Sequence, residues 1–194
     1  MKEQKENQLY TLEEFFQFVG EERMELYEGV PISMSPAAFE HEGVIANLIR
    51  EIGSALKGNT CQVFGSNFQV ILPFKEEQKG KENVTVLPDI SVVCDKSKLR
   101  NKRCYGAPEL IVEVLSPSTA RNDRLRKRNY YEKAGVREYL IVDYQNQLIE
   151  KYVLHSDSFQ LEEIYDQENH IFTSTIFPNV SFSIHEIFSF LEFD

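Results

Sequence analysis

The feature that most limits the possible folds of this chain is a pair of apolar runs with a helix-forming stretch between them. Residues 110–115 read Leu-Ile-Val-Glu-Val-Leu, and residues 139–142 read Tyr-Leu-Ile-Val. Between these runs, Ser118 or Thr119 is placed to cap a helix over residues 120–134. Two buried strands joined by a helix with short links form a βαβ unit, which has parallel strands and a right-handed connection. The pattern therefore predicts an α/β fold built on a mixed β-sheet.

The rest of the chain predicts further elements around this unit. Helices are expected at residues 12–20, capped by Thr11, and at 39–56. Two short strands that turn at Glu28-Gly29 are expected within residues 24–34, and further strands at 62–72 and 84–93. The polar stretch 75–83 is predicted to be an exposed hairpin loop. The 194 residues contain no internal repeat and no convincing boundary, so residues 1–194 are predicted to form one domain with a central mixed sheet flanked by helices.

Composition excludes several classes of protein. Apolar residues make up 42% and charged residues 27% of the chain, as in ordinary globular proteins. The longest apolar runs are about six residues, whereas a membrane-spanning helix needs roughly 20. No secretory signal begins the sequence, which predicts a cytoplasmic protein with no membrane partner. Cys61, Cys94 and Cys104 form no CxxC pair and are predicted to be free thiols.

The charge is unevenly distributed along the chain. The net charge is −10, which by itself disfavours an anionic partner. Between Lys96 and Arg137, however, there are twelve Lys or Arg and only four Asp or Glu. This segment is either a binding surface for phosphates or a solvated basic helix face.

Two carboxylates fall where a strand should be apolar. Glu113 interrupts the run 110–115, and Asp89 follows Pro88 within another apolar stretch. A buried carboxylate costs several kcal/mol unless it is paired or bound to a metal. If Asp89 and Glu113 meet on neighbouring strands, their oxygens make a site suited to Mg²⁺ or Mn²⁺. The alternative is that Glu113 pairs with an arginine of the basic helix.

The predicted helix carries a third candidate group. Asp123, Lys127 and Tyr131 are spaced by four residues, so they lie on one helix face. Because the helix starts just after the strand that carries Glu113, this face can lie over the end of that strand. A lysine there can orient an attacking water and offset charge on a phosphoryl group. The alternative is that Lys127 belongs to an exposed face, with Asp123 as its local salt-bridge partner.

These motifs resemble those of the Uma2 family of restriction endonucleases, which belong to the PD-(D/E)XK nuclease superfamily. The resemblance covers nearly the whole chain and is most specific in its middle part. The matching pieces are Leu87-Pro88-Asp89, residues 108–119, Asp123, Lys127, Tyr131 and residues 135–143, with residues 10–15, residues 25–29, Ser35-Pro36 and His41 upstream.

The resemblance implies a fold and a metal site. It implies a restriction-endonuclease-like mixed sheet flanked by helices, with Asp89 and Glu113 as ligands of Mg²⁺ or Mn²⁺ and the carbonyl of Val114 completing the site. The bound metal would activate water for phosphodiester hydrolysis. Leu115 stands where the superfamily normally has its lysine. Lys127, on the following helix, is therefore the candidate catalytic lysine.

Four further residues have expected positions relative to this site. Tyr131 and Asp123 are expected to face the site. Glu25 is either a further metal ligand or a residue that contacts the ligands, or else a surface residue on a half-exposed strand. His41 is expected to be a neutral histidine in the first turn of its helix rather than a catalytic one.

The predicted function is that of a Mg²⁺-dependent endonuclease acting on DNA, with a homodimer as the expected assembly. Arg121, Arg124 and Arg128 are the candidates for contacts with DNA phosphates. One alternative is a catalytically degenerate nuclease fold that binds nucleic acid or protein and keeps its carboxylates as ion pairs. Another is a metal hydrolase that acts on a smaller phosphodiester.

Overall fold

The computed structural model describes residues 9–20, 22–74, 83–117 and 119–191. Ser118 and all but the last residue of the predicted hairpin loop 75–83 lie outside these ranges. Within them, no helix is long and apolar enough to cross a membrane. The helices are α1 (Leu12–Val19), α2 (Phe39–Ala55), α3 (Arg128–Ala134) and α4 (Ile184–Phe188), with a π-helical segment at Asn122–Lys127 directly before α3.

The strands form two six-stranded sheets and one two-stranded sheet. They are β1 (Met24–Tyr27), β2 (Val30–Ser33), β3 (Gln62–Gly65), β4 (Val70–Pro73), β5 (Asn83–Val86), β6 (Ile90–Val93), β7 (Leu99–Arg100), β8 (Arg103–Tyr105), β9 (Leu110–Val114), β10 (Glu138–Asp143), β11 (Leu148–His155), β12 (Ser158–Tyr165), β13 (Ile171–Thr173) and β14 (Ser181–Ser183). The first sheet has the order β2-β1-β5-β4-β8-β7 and the second the order β12-β11-β10-β9-β6-β3, while β13 pairs with β14.

The predicted βαβ unit is confirmed. Strands β9 and β10 are parallel, with Glu113 opposite Ile141, and the helix between them runs from the π-helical segment into α3. Gly135 ends this helix in the left-handed conformation that glycine adopts readily. Each large sheet has one parallel pair, β9–β10 in the second and β4–β8 in the first, so both are mixed sheets.

Two predicted strands are each broken into two. The predicted strand 62–72 forms β3 and β4, and the predicted strand 84–93 forms β5 and β6. In both cases one half lies in the first sheet and the other half in the second. Apolar residues mark a segment as buried but do not specify its sheet, and Pro88 has no N–H to continue a ladder. The chain therefore changes sheets just before Asp89.

The second sheet is covered on both faces. Helix α2 packs Leu48 against one face, in the same apolar cluster as Val112. Ile111 points to the other face and shares a cluster with Tyr131 of α3 and with strands of the first sheet. Because side chains alternate along a strand, Glu113 lies on the same face as Ile111. The carboxylate is therefore directed toward the helix that follows its own strand.

The prediction of three free thiols is wrong. Cys61 and Cys94 form a disulfide, and Cys104 is a free, buried cysteine. The antiparallel pairing of β3 with β6 places Gln62 opposite Val93, so the cysteines that flank these two residues are neighbours. An odd number of cysteines with no close spacing does not reveal a pair whose members are 33 residues apart and are brought together by strand pairing.

Candidate active site

A cavity of about 470 Å³ lies where the two large sheets meet the π-helical segment. Every carboxylate singled out from the sequence lines it. The acidic and basic residues at its wall are Arg23, Glu25, His41, Glu42, Asp89, Glu113, Asp123 and Lys127. They come from both sheets and two helices, so the cavity exists only in the folded chain.

Asp89 and Glu113 are held side by side by strand pairing. β6 and β9 are antiparallel neighbours with Ile90 opposite Val112, which places Asp89 beside the end of β9. The backbone N–H of Val114 donates a hydrogen bond to Asp89 Oδ2 at 2.8 Å. Glu113 therefore lies on β9, while Asp89 stands in the bend just before the neighbouring strand β6.

Lys127 is the partner of Glu113, and it is only 2% exposed. Its Nζ lies 3.0 Å from Glu113 Oε1, 3.2 Å from Glu25 Oε1 and 3.5 Å from Asp123 Oδ1. The alternative of an exposed Lys127 is wrong, and so is the alternative of an arginine paired with Glu113. Burial lowers the pKa of Lys127, but the charges of Glu113 and Glu25 outweigh this and raise the pKa well above its usual value. The lysine is therefore positively charged at any physiological pH.

Two tyrosines and one backbone amide complete the network around Lys127. Tyr131 donates a hydrogen bond to Glu113 Oε1 at 2.5 Å, and Tyr27 donates one to Glu25 Oε2 at 2.7 Å. The N–H of Leu87 donates to Glu25 Oε1 at 2.9 Å. Glu25 is 1% exposed, so the alternative of a surface residue is wrong. Glu25 therefore contacts both Lys127 and the backbone of Leu87, two residues before Asp89.

The cluster contains more carboxyl groups than basic groups. Burial raises the pKa of Glu113 well above its usual value, and Lys127 only partly opposes this shift. Burial also raises the pKa of Asp123. With Glu25 and Asp89 nearby, four carboxylates face one buried lysine, an arrangement that a further cation would stabilise.

His41 is the residue that the sequence reasoning missed. Its Nε2 lies 2.9 Å from the carbonyl oxygen of Val114, to which it donates, and 3.3 Å from Asp89 Oδ2. Burial lowers its pKa, but hydrogen bonding to Asp89 and the charge of that carboxylate outweigh this and raise the pKa. His41 lies in the first turn of α2 as expected, whereas its contacts with Asp89 and with the Val114 carbonyl were not expected. The sequence did hold one signal: His41 falls on the same helix stripe as Ile45 and Leu48, which face the core.

The three arginines predicted to contact DNA phosphates do not line the cavity. Arg124 forms an ion pair with Glu150, and the guanidinium of Arg128 lies 4.7 Å from the centre of the Tyr152 ring. Arg121 is exposed. The structure thus directs two of these side chains toward β11 rather than toward the carboxylates.

The oxygen atoms around Asp89 fit a hard divalent cation. Asp89, Glu113 and the carbonyl of Val114 provide the ligand type that Mg²⁺ prefers. Both Lys127 and Tyr131 contact Oε1 of Glu113, and Oε2 receives no hydrogen bond from the residues that the structure describes. Within the same ranges, no group of three or more His, Cys, Asp or Glu side chains is arranged to hold a metal ion.

The fold and the paired strand carboxylates define a restriction-endonuclease-like nuclease fold. The chain belongs to the Uma2 family, described as "Putative restriction endonuclease", whose profile matches residues 12–185. This confirms the family resemblance seen in the sequence.

The proteins similar to this chain include two curated relatives and one solved structure. Both relatives come from Synechocystis sp. (strain ATCC 27184 / PCC 6803 / Kazusa). Uncharacterized protein slr1290 is 27% identical over 173 residues, covering 89% of this chain and 86% of the relative. Uncharacterized protein sll1609 is 26% identical over 125 residues, covering 63% and 67%. The crystal structure of "a putative nuclease belonging to DUF820" from Anabaena variabilis ATCC 29413 has a TM-score of 0.73 at 21% identity, covering 94% of this chain and 99% of that one, which shows the shared fold.

Proposed function

We propose that this protein is a Mg²⁺- or Mn²⁺-dependent endonuclease that hydrolyses phosphodiester bonds in DNA. The observation that carries the proposal is the position of Lys127, whose buried ammonium lies 3.0 Å from Glu113 at the wall of the cavity that Asp89 also lines. Membership of a family described as restriction endonucleases supports the same reaction class.

Asp89, Glu113 and the carbonyl of Val114 are the groups that would hold the metal ion. When bound, such an ion polarises a phosphoryl oxygen and lowers the pKa of a water molecule so that it becomes a nucleophile at neutral pH. His41 contacts both Asp89 and the Val114 carbonyl and therefore positions two of the three ligands.

The role of Lys127 in the proposal is electrostatic. Because its pKa is raised well above the usual value, Lys127 does not serve as a general base near neutral pH. Its fixed positive charge instead stabilises negative charge that develops on the phosphoryl oxygens. Glu25 and Tyr131 hold the lysine and Glu113 in place, which removes the need for reorganisation during the reaction.

A second candidate function is an interaction module that has the nuclease fold but no catalysis. The observation that favours it is that Glu113 Oε1 already has two partners, Lys127 and Tyr131, so its charge is compensated without a metal. In this case the carboxylates act as buried ion pairs only.

Calorimetric titration of Mn²⁺ distinguishes the two candidates. The parent protein and Glu113→Gln are titrated in parallel, with Glu162→Gln as the matched control because Glu162 pairs with another lysine, Lys151. The endonuclease proposal expects binding in the parent and in the control, and none in Glu113→Gln. A parent protein that binds no Mn²⁺, with or without DNA, and leaves DNA uncut in its presence would favour the interaction module.

The partner in the proposal is DNA, and the predicted place of action is the cytoplasm. A homodimer remains a prediction from the family resemblance. Light scattering of the purified protein measures its molecular mass directly. A mass equal to that of a single chain would contradict the predicted homodimer.

A further inference from the structure

The reactive groups of the proposed nuclease site are at the wall of a cavity and not on an open surface. Glu113 and Lys127 are each 2% exposed, and Asp89 is 9% exposed. A phosphodiester that reacts here must enter the cavity. It cannot react while it lies against the outside of the protein.

The size of the cavity limits what can enter. Its volume of about 470 Å³ is in the range of roughly 300–1,000 Å³ that holds a small ligand, such as one nucleotide. Part of its wall consists of short or rigid residues, namely Ser33, Ser35, Pro36, Ala37, Ala38, Ser116 and Pro117. Alanine and proline have almost no side-chain rotamers to lose or change, so rotation of side chains does little to widen this wall. The two strands of a double helix do not fit together in such a space.

The charge around the cavity also argues against an extended contact with duplex DNA. An extended contact with duplex DNA can neutralise about 6–10 phosphates with Lys or Arg. Among the cavity-lining residues that the structure describes, Arg23 and Lys127 are the only lysine or arginine side chains. Arg124 and Arg128, on the helix beside the cavity, are engaged with Glu150 and Tyr152.

From these observations we infer that the site takes its substrate as an unpaired DNA strand, either a single strand or a frayed end, and not as an intact duplex. The inference rests on the proposed nuclease function and specifies its substrate class. Enzymes that act inside a pocket on nucleic acid work on a single strand or take the reacting nucleotide out of the duplex. Arg23 contacts the strand at the cavity, and Lys127 meets the reacting phosphate.

The test compares one fluorescein-labelled oligodeoxynucleotide with the same strand annealed to its complement. Binding is measured by fluorescence anisotropy in EDTA, where cleavage does not interfere. We expect the single strand to bind at least about tenfold more tightly than the duplex, which corresponds to about 1.4 kcal/mol. Equal affinity, or tighter binding of the duplex, would overturn the inference.

The dependence on salt measures how many phosphates are contacted. For a single strand, each neutralised phosphate contributes about −0.7 to the slope of log K against log salt concentration. With two cations at the cavity, we expect a slope of about −1 to −2. A slope steeper than about −5 would show an extended footprint and would count against entry of a single unpaired strand.

A pair of arginine variants locates the contact. Arg23 lines the cavity and donates to the carbonyl of Ser66, whereas Arg50 lies on α2, contacts Asn47 and Glu51, and does not line the cavity. Arg23→Gln is expected to weaken single-strand binding and to reduce the salt slope by about 0.7. Arg50→Gln is expected to change neither. Equal behaviour of the two variants would overturn the assignment of Arg23.

Cleavage in Mn²⁺ separates this inference from the proposed function. Faster cleavage of the single strand than of the duplex would support both. Equal cleavage of both substrates would keep the nuclease proposal and overturn the inference. If neither substrate is cut but the single strand still binds more tightly in EDTA, the nuclease proposal fails and the preference for an unpaired strand stands.

Discussion

Among the residues that the structure describes, two lysines are buried, and their surroundings differ in charge. Lys151 on β11 lies 3.0 Å from Glu162 Oε2, with the Tyr165 hydroxyl and the Thr173 carbonyl each at 3.0 Å. One carboxylate and two neutral acceptors thus balance one positive charge. Lys127, by contrast, has three carboxylates within 3.5 Å and a fourth, Asp89, at the same cavity.

The difference separates a structural ion pair from a candidate active site. The pair at Lys151 needs nothing further, and the pKa of Glu162 is lowered by its hydrogen bond from Thr175 and by Lys151. At Lys127, burial raises the pKa of Glu113, which means that the folded protein opposes its ionisation. Uncompensated buried charge costs free energy. In the proposed function, a metal ion would supply positive charge beside these carboxylates.

The largest expected effect is on the cleavage rate, when one carboxylate of the network around Lys127 is neutralised and compared with the carboxylate that pairs with Lys151. Glu113→Gln is expected to abolish detectable cleavage of DNA, because it removes a proposed metal ligand. Glu162→Gln removes the carboxylate of the other network and is expected to leave the rate unchanged. Single-turnover cleavage in Mg²⁺ or Mn²⁺ measures both. Comparable rates in the two variants would break the distinction between the networks.

The next effect concerns the lysines themselves. Lys127→Met is expected to slow cleavage by about 10²–10³-fold, the loss seen when one charge-stabilising donor is removed. Lys151→Met is expected to keep the rate but to lower the free energy of unfolding by about 1–3 kcal/mol, since Glu162 and the Thr173 carbonyl lose a buried partner. Cleavage rates and urea unfolding of both variants are needed. If Lys127→Met cleaves DNA at the same rate as the parent, the role of Lys127 is structural and not catalytic.

A smaller effect is expected from the two tyrosines that contact these networks. Tyr131→Phe removes the hydroxyl that donates to Glu113 Oε1, and we expect about 10–100-fold lower Mn²⁺ affinity or activity, as for other groups that orient metal ligands. Tyr165→Phe removes the matching hydroxyl at Lys151. It is expected to leave Mn²⁺ binding unchanged. Calorimetry of both variants decides whether the Tyr131 hydroxyl positions the site.

The smallest expected effect is a difference in the pH dependence of stability. Because the pKa of Glu113 is raised in the folded state, its contribution to stability is present below its ordinary pKa and is lost as pH rises through the raised value. The lowered pKa of Glu162 has the opposite sign, so its contribution is present above its ordinary pKa and is lost as pH falls through the lowered value.

Urea unfolding at a series of pH values measures these two contributions. Glu113→Gln is expected to remove part of the decline in stability from acid to neutral pH. Glu162→Gln is expected to remove part of the decline at the acid end, by a small amount because Glu162 is partly exposed and solvent screens its charge. If the two variants shift the profile in the same direction, the two networks do not differ as described.

Much of the site is visible in local patterns of the sequence. The interruption of an apolar strand by Glu113 marks a carboxylate that needs a partner, and the four-residue spacing of Asp123, Lys127 and Tyr131 places them on one helix face. The βαβ pattern places that face over the strand, because a crossover helix must pack on its own sheet. These inferences depend on residues that are close together in the chain, where a periodicity of 2 or 3.6 residues specifies the direction in which each side chain points.

The sequence by itself therefore determined the βαβ unit, the helix face that carries Lys127 and the carboxylate at Glu113. Tertiary structure alone decided that residues 62–72 and 84–93 each divide between two sheets, that Glu25 holds Lys127 and that Cys61 pairs with Cys94. The physical reason is that periodicity reports which side of an element is buried but not which distant element covers it. Contacts between residues far apart in the chain depend on the packing of the whole molecule, and the charge balance around Lys127 is set by such contacts.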